Sequence, residues 1–170
     1  MTDTLAPAHT AAEIRAQWAA QQGRARDIAH QLGLREAQLI AARIGHGATA
    51  IAAHPDRLFP ALGPLGTCMA LTRNESCVIE IDGRYENFHA GAHAAMTLEP
   101  GLDMRMFPRH WVHGFAFVED TDTGPRRSIQ VFDAAGDAIH KVYLRPASDL
   151  DGWDRLVTEL ALPEQADVIA

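Results

Sequence analysis

An arginine stands alone in an apolar run, Leu102-Asp103-Met104-Arg105-Met106-Phe107, and an aromatic run bearing histidines follows it, His110-Trp111-Val112-His113-Gly114-Phe115-Ala116-Phe117. Together they offer apolar walls, a cation and imidazoles. That set suits a large, flat, mostly apolar ligand with anionic arms and a central metal that takes an axial donor. Strand alternation sorts these residues by face. Arg105 falls with Asp103 and Phe107, so it either pairs with Asp103 or is free to hold a carboxylate in its fork or to donate to a water over a metal. His113 falls with Trp111, Phe115 and Phe117, as either a hydrogen-bonded core residue or a pocket imidazole. His89 and His93, four apart, meet on a strand or a helix; His110 and His113 meet only on a helix.

Other chemistries lack their residues. A zinc site needs three or four converging ligands, and the chain has neither a His-Glu-x-x-His motif nor paired cysteines. It has no serine elbow and no phosphate loop. Nine histidines in 170 residues is an unusual share, open to metal or cofactor ligation, although most of them are read as ordinary surface residues. A single imidazole suffices for heme, because the porphyrin supplies four nitrogens and the protein only axial donors.

The elements that must position these residues follow from periodicity. Thr10 to about Arg43 has helical spacing, with Ile14, Trp18, Ile28, Leu32, Leu39 and Ile40 on buried faces and breaks at Gly23 and Gly33, which predicts two or three short helices. Residues 25–39 resemble a helix-turn-helix, but any small helical bundle needs the same tight corner, and the second helix offers Arg35, Glu36 and Gln38 rather than a basic, base-reading face, which favours a structural role. The segment 45–66 reads as a connector with one helix near Pro55 to Leu62. From Thr67 the period becomes two. Strands are expected at 67–72, 77–81, 84–88, 92–98, 102–107 and 111–118, then an acidic loop at Glu119 to Gly124, then a hairpin of 127–132 and 138–144 with Gly136 in its turn. A closing helix, 149–160, is expected to be capped by Ser148.

This order is α+β: an N-terminal helical bundle, a large antiparallel β-sheet and a C-terminal helix. The length fits a single domain over 1–170, with the helical part at about 10–62, the sheet at about 67–145 and the closing helix at about 149–160.

A net charge of -7 argues against nucleic acid and against an anionic membrane as partners, since both demand a basic footprint. The start, Met1 to Pro7, lacks the basic and apolar runs of a signal peptide. No apolar stretch is long enough to span a bilayer. With a turn near Arg73 to Glu75, Cys77 would lie opposite about Leu71 and Cys68 opposite about Glu80, too far apart for a disulfide. A reducing cytoplasm is the expected compartment.

Several motifs occur together in order: Gly23 to Ala29; Gly66-Thr67-Cys68-Met69-Ala70-Leu71-Thr72-Arg73-Asn74-Glu75; Gly83-Arg84-Tyr85-Glu86-Asn87; Leu102 to Phe107; His110-Trp111; Arg127 to Asp133; and Gly136 to Tyr143. In these the chain resembles the HemS/ChuS family of bacterial hemin-binding, hemin-transport and hemin-degrading proteins. The resemblance implies a cytoplasmic protein that receives heme b after import and passes it to a heme oxygenase, or in some members breaks it down when given an electron donor. The expected partners are therefore heme and either a heme oxygenase or a heme importer.

The usual family member has two similar halves, and this chain resembles the first. It is expected either to be one half of a longer protein or to pair with itself as a homodimer. By the same resemblance Arg105 matches the arginine that the first half holds over heme, and Tyr143 matches by repeat a tyrosine near the heme of the second half. The family's principal axial histidine lies in the second half; its counterpart by repeat falls near Ala12, with His9 about one turn away. Ile79 stands where some relatives carry a histidine. His93 matches a histidine in a Gly/His turn, and His93 or His113 is the in-chain candidate for axial iron ligand. The alternative from another class is a regulatory DNA-binding module using the helix-turn-helix.

Overall fold

In a computed structural model, which describes residues 9–169, helices and antiparallel strands build two cores on either side of one sheet. Three short helices come first, α1 (Ala11–Ala19), α2 (Ala25–Gln31) and α3 (Glu36–Ala41). Thr10 starts α1 through a capping box: its hydroxyl accepts from the Glu13 N–H at 3.2 Å while the Glu13 carboxylate accepts from the Thr10 N–H at 2.7 Å. Gly33, at φ +68, makes the corner between α2 and α3. Rather than closing on themselves as a free bundle, these helices place Ile14, Trp18, Ile28, Leu39 and Ile40 in one core with Phe115, Phe117 and Phe132 of the sheet.

The six-stranded sheet has the order β1-β7-β8-β9-β2-β3. Its strands are β1 (Ala48–Ile51), β2 (Cys68–Arg73), β3 (Val78–Gly83), β7 (His113–Thr121), β8 (Gly124–Phe132) and β9 (Ala138–Leu144). A three-stranded sheet, β4 (Phe88–His89), β5 (Ala95–Glu99) and β6 (Leu102–Met106), lies on the far side with α4 (Pro55–Leu62) and α5 (Leu150–Leu160). Their shared core includes Leu58, Phe59, Tyr85, Trp111, Ile129 and Trp153. Because β7 to β9 are covered on both faces, their middles read as nearly continuous apolar runs.

Several expectations needed correction. The connector contains β1, whose small residues pair with β7; an added Cβ at Gly114 would lie 2.9 Å from the Ile51 carbonyl oxygen, so only glycine permits that approach. The outer edge of β1 is covered by the chain's end, where the Leu162 N–H donates to the Ala50 carbonyl at 2.9 Å and the Gln165 amide bonds the Ala50 N–H and C=O at 2.8 and 2.9 Å.

The acidic loop is instead a tight hairpin: β7 and β8 pair as far as Thr121 and Gly124, and Glu119 accepts from Arg126 at 2.5 Å. Asp149, not Ser148, caps α5 by accepting from the Asp151 N–H at 3.0 Å, while the Ser148 hydroxyl donates to the Thr67 carbonyl at 2.6 Å. The β2–β3 turn falls one residue or more later than expected, so Cys68 faces Gly83; the buried Cys68 and exposed Cys77 are both free thiols. Among the described residues no helix is long and apolar enough to cross a membrane. The signal-peptide expectation concerns Met1 to Pro7, which lie outside the described residues.

Candidate functional site

Two concavities on opposite faces of the large sheet carry the chemistry. The larger, a groove of about 790 Å³, lies on the helix-bearing side. Alternation along β2 and β9 turns Met69, Leu71 and Arg73 into it from one strand and Lys141 and Tyr143 from the next, and the chain entering α2 adds Arg24 and Arg26. At its floor Lys141 forms a buried ion pair with Glu36, and its ammonium lies 5.9 Å from the centre of the Phe132 ring. Arg126 pairs with Glu119 and stands 5.8 Å from the Tyr143 ring centre. Burial pushes the Tyr143 phenol up to about 12, against the pull of Arg126.

Arg24 and Arg73 differ from the groove's other cations. Among the described residues neither has a carboxylate within 4.0 Å, and the buried Arg73 Nε has no hydrogen-bond partner. Two unpaired guanidiniums beside Met69, Leu71, Phe117 and a phenol suit a broad apolar ligand bearing anionic groups.

The smaller concavity, about 260 Å³, opens on the other face between β6, β2 and β9. Arg105 and Phe107 stand at its mouth, both exposed, and Trp111 and His140 form its inner wall. His140 is 3% exposed and engages both ring nitrogens: Nε2 with the Tyr85 hydroxyl at 2.9 Å and Nδ1 with the Thr72 hydroxyl at 3.0 Å. Desolvation holds its pKa down at about 4, so the ring is neutral, with one nitrogen donating and the other accepting.

The residues singled out from the sequence are not brought together. Arg105 is in β6 at the recess and Tyr143 is in the groove, on opposite sides of the sheet. Asp103 does not pair with Arg105: among the described residues no carboxylate lies within 4.0 Å of this exposed guanidinium. His113 is half-buried in β7, opposite Phe132. Trp111 does not share its face as expected, because β7 begins only at His113; a 3-10 turn at Pro108–His110 swings the indole onto Phe59 and His140 instead. His93 is exposed in the turn between β4 and β5, while His89 in β4 bonds Asn87 at 3.0 Å. His9 is exposed just before α1.

Among the described residues no histidine lines the groove, and none of the described His, Cys, Asp and Glu form a metal-binding cluster. Sequence reasoning passed over His140, although alternation in β9 places it with buried Val142, which was a usable signal.

The helix-turn-helix reading fails on burial. In α3, Ala37, Leu39 and Ile40 are fully buried, Glu36 pairs with Lys141, Arg35 pairs with Asp137, and Gln38 accepts from the Arg35 N–H at 3.0 Å. A recognition helix must present such residues to base edges; here they are committed to the fold.

Comparison with known proteins agrees with this architecture. Residues 33–160 match the haemin-degrading HemS.ChuX domain. The hemin transport protein HmuS of Yersinia pestis is 42% identical over 141 residues, covering 82% of this chain and 41% of that protein. The crystal structure of holo-PhuS, a heme-binding protein from Pseudomonas aeruginosa, superposes with a TM-score of 0.90 at 43% identity, covering 95% of this chain and 49% of that one. The heme-binding protein ChuX shares the fold over 87% of this chain and 94% of its own, with a TM-score of 0.71 at 12% identity. The chain therefore spans about half the length of HmuS and PhuS, and it belongs to the haemin-degrading HemS.ChuX domain family.

Proposed function

We propose that this domain binds heme b in the cytoplasm for heme trafficking or utilisation, with degradation of the ring, given an external electron donor, as a further activity suggested by the family. The observation that carries the reading is the groove. Its volume of about 790 Å³ lies within the roughly 300 to 1,000 Å³ of small-molecule sites. In this reading Arg24 and Arg73 hold the two propionates, and Met69, Leu71, Phe117 and the ring of Tyr143 pack on the macrocycle. The iron supplies the redox chemistry when heme is present; this chain's residues bind and orient the ring.

Arg105 lies on the other face and would act on a heme held by a second domain, either a second copy of this chain or a second half, consistent with relatives of about double its length. There it would contact a propionate or a distal water. His93, His113 and His9 lie outside the groove lining and are the imidazoles to test as axial ligands of a heme held with a second domain, whereas the Tyr143 phenol is the candidate within the groove. A heme oxygenase or a heme importer would be the protein partner.

Hemin titration followed at the Soret band tests this. Saturable, near-stoichiometric binding is expected. Arg24→Ala and Arg73→Ala should each weaken it roughly tenfold or more, since a charge-assisted contact contributes about 1.5 to 3 kcal/mol. Hemin dimethyl ester should bind more weakly and be insensitive to both changes. A shifted spectrum in His9→Ala, His93→Ala, His113→Ala or Tyr143→Phe identifies the axial ligand, and one in Arg105→Ala places that guanidinium over the ring. A titration indistinguishable from that of an unrelated acidic protein removes the reading.

A further inference from the structure

The recess beside Arg105 has a construction that the groove does not explain. β8 and β9 pair Val131 with His140 but Phe132 with Ala138, so Ile139 is an extra residue without a partner. Regular alternation would send Ile139 and His140 to opposite faces; this bulge lets both line the recess. The 3-10 turn before β7 brings Trp111 against the same His140, with ring centres 6.0 Å apart. Two local departures from regular strand geometry thus shape one small cavity.

Its lining points to a ligand class. Met104, Met106, Phe107, Trp111 and Ile139 give an apolar wall, and Arg105 at the mouth is a cation with no carboxylate partner among the described residues. His110, which accepts from Arg109 Nε at 2.9 Å, also lines the recess. The one acid in the lining, Asp133, is turned to its own loop, where Oδ1 accepts from the Ala135 and Asp137 N–H groups at 2.9 and 3.0 Å. It does not neutralise Arg105. Behind the wall, the chain of Tyr85, His140 and Thr72 satisfies the buried ring without help from a ligand, so the floor is preformed. At about 260 Å³ the space is below the roughly 300 Å³ at which drug-sized sites begin, and far too small for a porphyrin.

We propose that the recess between β6, β2 and the β9 bulge is a second ligand site, for a small free monocarboxylic acid with an aryl or short alkyl body. The body lies against Trp111, Met104 and Ile139, and the carboxylate is held in the fork of Arg105. The site is separate from the groove, and an acid held there would compete with any contact of Arg105 to a heme on a second domain, so the heme-free protein isolates it.

Benzoate and octanoate are the probes, paired with benzyl alcohol and octanol as uncharged counterparts. They are titrated into the heme-free protein while the indole N–H resonances of Trp18, Trp111 and Trp153 are followed, Trp111→Phe assigning the signal. The expected result is a saturable shift of the Trp111 resonance that leaves Trp18 and Trp153 in place. The acids should bind more tightly than the alcohols. Arg105→Gln should reduce acid affinity about tenfold or more and leave alcohol affinity unchanged. Because Arg105 is exposed, that variant retains the fold; Arg73→Ala, in the groove, should bind benzoate as the parent does. The proposal is overturned by the absence of a saturable shift, by equal shifts at all three indoles, by equal binding of acid and alcohol, or by an Arg105→Gln variant that binds benzoate as tightly as the parent.

Discussion

Lys141→Met is expected to lower the stability of this protein by about 3 to 5 kcal/mol, the range for removing one partner of a buried ion pair. Lys141 and Glu36 side chains are 9% and 7% exposed and form an ion pair beneath the groove. With the ammonium gone, the Glu36 carboxylate is left nearly buried at the groove floor without the cation that pairs with it. A neutral replacement of both partners avoids that penalty, so Glu36→Leu/Lys141→Met should recover most of the loss. The two midpoints of guanidinium unfolding, read with unchanged slopes, measure the effect. A single variant within about 0.5 kcal/mol of the parent would show that the pair is solvated and the groove floor open. The pair also links two distant parts of the chain, since it ties α3 to β9 across the sheet.

That link shows why the groove was not legible in the sequence while much of the scaffold was. The strand Leu102–Met106, the hairpin around Gly136 and the helix Pro55–Leu62 each announce themselves within a few residues, through alternation, a turn glycine or a proline at a helix start. The groove instead assembles Arg24, Arg73, Lys141 and Tyr143, which no local pattern relates, because sheet order pairs β9 with β2 across 70 to 76 positions. Glu36 read only as an acid on the helix after a turn for the same reason: its partner is 105 positions away.

Arg105 was legible as an unusual cation in an apolar run, but the run left open whether it pairs with Asp103, and only the fold shows it exposed at an opening apart from that carboxylate. Trp111 was assigned to the wrong side because a 3-10 turn cannot be seen in alternation. The β9 bulge is likewise invisible, since Ile139 looks like any strand residue until its partners are known.

His140 gives the second large effect, and its sign follows from which state binds the proton. Its ring is pushed down from the ordinary 6.5 to about 4 by burial, with Tyr85 and Thr72 hydrogen-bonded to its two nitrogens. Unfolded chains take up a proton here below about pH 6.5, whereas the folded protein resists until about pH 4. Stability is therefore fully present above pH 6.5, declines as the pH falls, and the loss is complete once both states are protonated below about pH 4. A depression of this size corresponds to about 3 kcal/mol, at roughly 1.4 kcal/mol per unit. In His140→Gln the contribution disappears. That variant should start less stable at pH 7, because Gln cannot bond both hydroxyls in the same geometry, and should then lose stability more slowly on acidification. The difference between the unfolding free energies of parent and variant, followed from pH 7 to 4, isolates this one group from the carboxylates that titrate in both proteins. It should shrink by about one proton's slope through that window. Parallel curves would mean that His140 is accessible to protons in the fold and that the wall behind the Arg105 recess is wet rather than sealed.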